Sequence, residues 1–414
     1  MPERIPTVVI GAGHAGLALS HELERAGINH VVLERNRIGQ SWRQRWDSFC
    51  LVTPNWTVQL PDGAYEGDEP DAYMSKAELV AHLERYAAGS RMPIREGVGV
   101  TSVESAPDGG LLLRASTGDI VADAVVLATG AYQKPHRPSG AASLPDEIHA
   151  IDSEAYANPD TLPPGKVLVV GSGQTGCQIA EELNEAGRDV VLACGRAPWG
   201  PRRIEGRDIV SWIVDTPFLD QTVADLPSPA GRLIANVQAT GHGGGHDLNY
   251  RTLHRDGVTL AGHFLGADDH TAVFASDLSD SVAFGDARYK DMSNLIRKSC
   301  LESGVKPPDL PPPEPFTVGS PERIALRGFG AVIFTSGFRP DYASWVRFPN
   351  AFDELGFPIQ EDGASSVVPG LFFIGTHFLR KRKSGIIMGI MEDAPIVAER
   401  IVRSHRRSRA GSLD

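Results

Sequence analysis

Cysteine is scarce in this chain. Cys50, Cys177, Cys194 and Cys300 are the only four in 414 residues, and no two of them stand in a C-x-x-C pair or at a metal-ligand spacing. A disulfide framework, a dithiol redox centre and a metal site are therefore all unexpected. Long apolar runs are missing too: none approaches the roughly 18 residues that a spanning helix needs. A first strand that begins at Thr7 leaves no room for a signal peptide, so a cytoplasmic protein without a membrane partner is expected. Positive charge is also in deficit, with 40 basic against 52 acidic residues for a net −12, which argues against nucleic acid or an anionic lipid surface as the main partner. What remains, at 41% hydrophobic residues, is enough for the cores of two or three globular domains.

Glycine is plentiful, and its placement is informative. Gly11-Ala12-Gly13-His14-Ala15-Gly16 and Gly171-Ser172-Gly173-Gln174-Thr175-Gly176 are two copies of one G-x-G-x-x-G pattern. Each follows an apolar run (Thr7 to Ile10, Lys166 to Val170) and opens into a segment of helical periodicity (Leu17 to Ala26, Ile179 to Ala186). Strand, glycine turn and helix together form the context a dinucleotide site requires: one glycine for the tight turn, one for close approach of a pyrophosphate, one for helix-to-strand packing. Two such sites imply two nucleotides.

The copies differ at the residue that reads the ribose. Glu34 ends the run His30-Val-Val-Leu33 twenty-three positions after Gly11, where a carboxylate accepts hydrogen bonds from both ribose hydroxyls. At the same offset from Gly171 stands Cys194, followed by Gly195-Arg196 and then Arg202-Arg203. No carboxylate is there to repel a phosphate, and guanidinium groups offer it paired donors, so this site suits a nicotinamide cofactor with a 2′-phosphate. The bland alternative is that these arginines are solvated surface charges.

Proline punctuates the organisation. Asn158 to Gly165 and Lys306 to Pro315 are proline-dense connectors on either side of the second pattern. The expected fold is α/β with two dinucleotide-binding Rossmann-like domains, one inserted into the other. Residues 1–160 and 316–414 would form the first, and 161–315 the insert. Two further apolar runs end in Thr129-Gly130 and in Ser336-Gly337; either turn approaches a cofactor at the carboxyl end of a strand or is only a turn. The stretch 208–218 lines a pocket or is an amphipathic helix packed on its own domain. The end Arg403 to Gly411 reads as a frayed basic terminus.

Taken in order, the fingerprint with Glu34, Ile38-Gly-Gln40-Ser41-Trp42, Leu127-Ala-Thr129-Gly130, the second fingerprint, Thr335-Ser336-Gly337-Phe-Arg-Pro340 and a terminal strand bearing Gly375 resemble the class B flavin-dependent monooxygenases. Within that class the chain is similar to the bacterial branch that is close to plant YUCCA monooxygenases and often labelled loosely as cation-transport flavoproteins. The resemblance covers nearly the whole chain. It implies FAD in the split domain, NADPH in the insert, and O2 with a small organic molecule as substrates. It also implies a cofactor-binding set that adds Arg35, His377 and Met388 to the residues of both fingerprints, Glu34, Gln40 to Trp42, the two strand-end turns, Gly375, Arg196, Arg202 and Arg203. One departure stands out: where the class carries His-Ser before an aromatic residue, this chain has Asp152-Ser153-Glu-Ala-Tyr156, with His149 three residues earlier.

The implied reaction passes hydride from NADPH to FAD and one oxygen atom from O2 to substrate through a flavin peroxide adduct, which a closed site must shield from water. Its form would be N- or S-oxygenation, ketone oxygenation or oxidative decarboxylation. Asn55, after Leu51-Val-Thr53-Pro54, is the candidate catalytic amide that donates to the peroxide without titrating; as a residue after proline it is otherwise a turn asparagine. Asp393-Ala-Pro395 reads as the start of a helix whose amides would face the flavin, and Arg380-Lys-Arg-Lys383 adds positive charge before it, faces the NADPH phosphates or is a solvated face. An NADPH-dependent flavin reductase or electron-transfer flavoprotein without productive oxygen transfer is the alternative, and a non-catalytic nucleotide sensor a third. The residues leave open the substrate and whether the chain forms a homo-oligomer.

Overall fold

A computed structural model describes residues 2–410, with side chains to residue 407. The apolar run before the first fingerprint becomes the strand Glu3–Ile10, which pairs in parallel with His30–Glu34 on one side and Gly118–Leu127 on the other. Val8, Val9, Val32, Val125 and Val126 have no solvent exposure, as expected for strands covered on both faces. Beyond Gly118–Leu127 the terminal strand Leu371–Phe373 pairs in parallel, and beyond His30–Glu34 lies Ile94–Glu96. The hairpin of Val100–Ser105 and Leu111–Ala115 adds antiparallel strands to Gly118–Leu127.

The second sheet is parallel throughout, in the order Thr259–Ala261, Val190–Ala193, Lys166–Val170, Phe329–Phe334, His149–Asp152. Two of its strands, 149–152 and 329–334, lie outside the expected limits of 161 and 315. Ala331 lies beside Val167 on one side and His149 on the other. Proline marks where regular structure stops, but sheet membership is set by hydrogen-bond register, which spans the prolines. The run 306–315 is likewise pinned to the second unit rather than bridging two. Tyr289 and Arg297, on the helix Leu278–Glu302, donate to the carbonyls of Pro311 and Leu310, and Arg251 donates to that of Glu314.

The terminal helix runs from Ile387 to Ala410, so Pro395 lies inside it and not at its start. Ile387, Ile390, Ala394, Val397, Ala398 and Ile401 are buried along one stripe through the proline. That continuous burial outweighs the one hydrogen bond and the steric cost that proline imposes. The expected frayed end is helical to residue 410; Gly411 lies outside the described residues. Among the described residues no helix is long and apolar enough to cross a membrane, and no group of three or more His, Cys, Asp or Glu is placed to hold a metal. All four cysteines are free.

Candidate cofactor sites and the cleft between them

Both fingerprints form the strand, turn and helix their sequence demands. Gly11 has φ +109°, and a Cβ on it would meet the Ala128 carbonyl oxygen at 2.6 Å. A Cβ on Gly16 would fall 1.9 Å from the Gly11 carbonyl oxygen, so this glycine lets the helix His14–Arg25 press against the turn. Gly13 is different. It caps the helix with ordinary extended angles, and a Cβ there would meet nothing within 4 Å. That open cradle faces the unpaired N–H groups at a helix start, where a pyrophosphate fits. In the second copy Gly171 (φ +108°) and Gly176 are crowded in the same way, the latter 2.0 Å from the Gly171 carbonyl oxygen.

Glu34 is buried at the end of its strand, its two carboxylate oxygens taking the N–H groups of Ala12 (2.9 Å) and Asn36 (2.8 Å). Each oxygen keeps lone pairs for a ribose hydroxyl. Gln40, Ser41 and Trp42 lie on the short helix Gln40–Arg43, which brings the Trp42 ring to 5.9 Å from His14. Trp42 Nε1 and His14 Nε2 are both buried without a partner. Burial holds the His14 pKa down at about 4, leaving a neutral ring. Two orphan polar atoms beside an open glycine cradle fit an FAD that supplies their partners. Arg35 is exposed on the turn beyond Glu34. Gly375 approaches the same fingerprint so closely that its Cβ would sit 2.5 Å from that of Ala15, and Met388 lies half-buried in the first turn of the terminal helix.

At the second site Cys194 is fully buried, and burial pushes its thiol far up in pKa. It is a neutral filler where an NAD site would carry a carboxylate. Gly195 N–H donates to Ser172 Oγ at 2.7 Å and Tyr250 hydroxyl to the Gly195 carbonyl at 2.6 Å, so the peptide leading to exposed Arg196 is held rigidly. Ala193 pairs with Ala261, and the continuation places His263 beside Gly195, its Nδ1 2.6 Å from Asp277. Gln174 Nε2 donates to the Val237 carbonyl, Thr175 is half-buried, and Ser336 Oγ donates to the Val170 carbonyl at the turn that carries Gly337.

Three sequence-based expectations change. Arg202 is not free for a phosphate: it is buried against Asp208, donates to the Tyr73 hydroxyl (3.0 Å) and sends NH1 to the Val52 carbonyl (2.8 Å). It ties the second unit to the first. Arg203 spends its guanidinium on the carbonyls of Gly244 and Gly245, so of the three arginines Arg196 alone stays uncommitted in the described contacts. Asn55 is buried, its oxygen taking the Met74 N–H (2.7 Å) and its nitrogen donating to the Glu69 carbonyl (2.9 Å), so the amide staples the loop 55–74. The run 380–383 is neither a solvated face nor aimed at phosphates. Lys381 and Lys383 each pair with Asp220 and Glu392, Arg380 pairs with Asp362, Glu392 and Asp393, and Arg382 donates to Gln221. Although burial pushes Glu392 up, these lysines hold its pKa at about 2.

The stretch 208–218 resolves as a helix, Ile209–Val214, with Ile209 and Ile213 in a core with Ile296 and Leu310. Asp152 pairs with Arg137 through two hydrogen bonds (2.8 and 2.9 Å), which gives the departure from the class pattern a structural partner; His149 is exposed.

Residues just beyond the strand ends of both sheets meet. Tyr132 follows Thr129-Gly130, Phe338 follows Ser336-Gly337 and His377 follows Gly375; the Tyr132 ring lies 5.3 Å from Phe338 and 5.2 Å from His377. Burial holds His377 neutral, with its pKa lowered to about 4. Arg45 and Tyr132, which sequence reasoning missed, meet here across 5.5 Å. Their separation of 87 positions carries no local periodicity that could have revealed them.

A family model described as pyridine nucleotide-disulphide oxidoreductase matches residues 8–221. An uncharacterized CzcO-like oxidoreductase of Geobacillus kaustophilus is 31% identical over 396 residues, covering 95% of this chain and 97% of its own. Indole-3-pyruvate monooxygenase YUCCA1 of Oryza sativa is 32% identical over 182 residues, 42% of this chain and 44% of its own. Among solved structures, a flavin-containing monooxygenase from Stenotrophomonas maltophilia superposes with a TM-score of 0.67 at 18% identity, covering 97% of this chain and 99% of that one.

Proposed function

The chain belongs to the pyridine nucleotide-disulphide oxidoreductase family and, within it, to the class B flavin-dependent monooxygenases, enzymes of FAD and NADPH, and from that premise we propose that it inserts one oxygen atom from O2 into a small organic substrate. The observation that carries this reading is the meeting of strand ends from both sheets, where the Tyr132 ring packs against Phe338 and His377. In open α/β sheets ligands lie beyond the carboxyl ends of strands, and here residues just beyond two such edges touch, so both cofactors' reactive ends can approach one another there. When bound, FAD takes hydride from NADPH and, with O2, supplies the oxygen atom.

The chain's own residues bind, orient and exclude water. Gly11, Gly13 and Gly16 with Glu34 hold FAD, while Gly171, Gly173 and Gly176 with Arg196 hold NADPH. Arg202, Tyr73 and Asp208 keep the two units in register. Tyr132 and Phe338 present rings where the strand ends meet, and burial keeps His377 neutral, which limits the water drawn inward. We place the FAD-binding unit on both sides of a second unit whose sheet spans 149–334. The four free cysteines include no C-x-x-C pair, which disfavours a dithiol-based reductase.

The test is NADPH consumption across a panel of amines, sulfides, ketones and 2-oxo acids, with mass spectrometry of the products. A gain of one oxygen, or an acid shortened by carbon dioxide loss, is expected for at least one class. Hydrogen peroxide as the sole product with every panel member would replace this reading with the reductase.

A further inference from the structure

The carboxyl edge of the second sheet carries a histidine to which the reading above gives no role. The strands Val190–Ala193 and Thr259–Ala261 lie side by side in parallel, Ala193 beside Ala261, and the Cys194 N–H donates to the Ala261 carbonyl at 2.9 Å. The two stretches of chain therefore leave the sheet together, one as Cys194-Gly195-Arg196 and the other as Gly262-His263. A Cβ on Gly195 would stand 3.3 Å from His263 Nε2 and 3.7 Å from Cδ2, so the imidazole takes the room beside the peptide that leads to Arg196.

The ring is held from behind by Asp277, just before the helix Leu278–Glu302. One Asp277 oxygen accepts the His263 backbone N–H at 3.0 Å and the other lies 2.6 Å from Nδ1. An aspartate at this place commonly accepts an N–H of its own helix, yet Asp277 makes no such side-chain cap and gives both oxygens to His263. Although burial pushes the Asp277 carboxyl up, these bonds hold it below its usual range. The close approach depends on Gly262, where a Cβ would fall 2.0 Å from the Ala275 carbonyl oxygen and 2.6 Å from Asp277 Oδ1. With Nδ1 spent on Asp277, Nε2 is the nitrogen at Gly195, and 46% of the His263 side chain is open to solvent. An imidazolium donates from both nitrogens, and a ring between a carboxylate and a phosphate dianion has an acceptor for each. The place is the strand end where an NAD site carries a carboxylate and this chain carries buried Cys194.

We propose that His263 is a second ligand of the NADPH 2′-phosphate beside Arg196, and that Asp277 positions it. This rests on the NADPH reading of the second unit. The test titrates the oxidised, FAD-loaded enzyme with NADP+ and with NAD+ and reads both dissociation constants by calorimetry. His263→Phe keeps a ring against Gly195 and removes both donors, whereas His263→Gln keeps an N–H donor. NADP+ is expected to bind about tenfold more weakly to His263→Phe and less than that to His263→Gln, with NAD+ affinity unchanged within about twofold. Unchanged NADP+ affinity in His263→Phe overturns the proposal. Equal weakening of NADP+ and NAD+ also overturns it, by assigning the ring to the adenine or to the fold. If His263→Phe does not fold, His263→Gln decides by the same comparison, and its full retention of NADP+ affinity is the overturning result. Absence of any preference for NADP+ in the unaltered protein fails the NADPH reading and the proposal together, whereas a preference that persists in both variants removes His263 alone.

Discussion

Replacing Gly13 by valine separates binding of FAD from folding of the domain that holds it. Gly13 has φ −80° and ψ 178°, angles open to any residue, and a Cβ there would touch nothing within 4 Å. It makes no side-chain cap, so the folded protein loses only the preference of a helix cap for glycine over valine, about 1 kcal/mol. The cost to FAD is larger. Valine's methyl groups occupy the space through which a pyrophosphate reaches the first N–H groups of the helix His14–Arg25. Losing two charge-assisted hydrogen bonds, each worth about 1.5–3 kcal/mol, weakens binding by roughly a hundredfold or more. The purified variant is therefore expected to be colourless, with a urea midpoint close to that of the unaltered apoprotein. Gly16→Ala is the contrast: its Cβ would stand 1.9 Å from a backbone oxygen, so flavin and fold should be lost together. Full visible absorbance in Gly13→Val, at unaltered stability, would refute the placement of the pyrophosphate.

Three other outcomes follow from the contacts. Arg202→Ala strands the Asp208 carboxylate in a buried site and should cost about 3–5 kcal/mol in chemical denaturation, without changing the ratio of NADPH to NADH affinity; a shift in that ratio at normal stability would restore Arg202 to the phosphate site. Arg196→Ala should erode the preference for NADPH over NADH by about 1–3 kcal/mol, read from dissociation constants on the oxidised enzyme; an unchanged preference would point to the neighbouring His263. His14 and His377 have folded pKa values near 4, below the ordinary 6.5, so the unfolded chain takes up protons first as pH falls. Their contribution is whole above pH 6.5 and is lost toward pH 4. His377→Gln should flatten the stability slope of the apoprotein in that window by up to about 1.4 kcal/mol per pH unit, and an unaltered slope would mean that His377 titrates normally.

Local chemistry was legible in the sequence wherever a short stretch of chain sets its own geometry. The two glycine fingerprints, Glu34 at a strand end and the absence of a carboxylate at Cys194 each depend on a turn of a few residues, and the structure forms those turns. Where a local signal competed with packing, packing prevailed. Pro395 reads as a helix start, yet a buried stripe from Ile387 to Ile401 carries the helix through it. The proline runs read as domain limits, yet the strands His149–Asp152 and Phe329–Phe334 pair across them.

The fate of the polar side chains depended on partners distant in sequence. Arg202 and Arg203 are equally good phosphate ligands by type and spacing; what removes Arg202 is Tyr73, 129 positions away, and Val52, 150 away. Asn55 could donate to any acceptor until the loop returns Met74 and Glu69 to it. The sequence by itself thus determined the two glycine turns, the carboxylate after one and its absence after the other, because these follow from backbone sterics and residue type over a few bonds. Only the tertiary structure decided which arginines are spent on holding the chain together and which one, Arg196, stays uncommitted in the described contacts, because the hydrogen-bond pairing of a charge is set by whatever the fold brings alongside it.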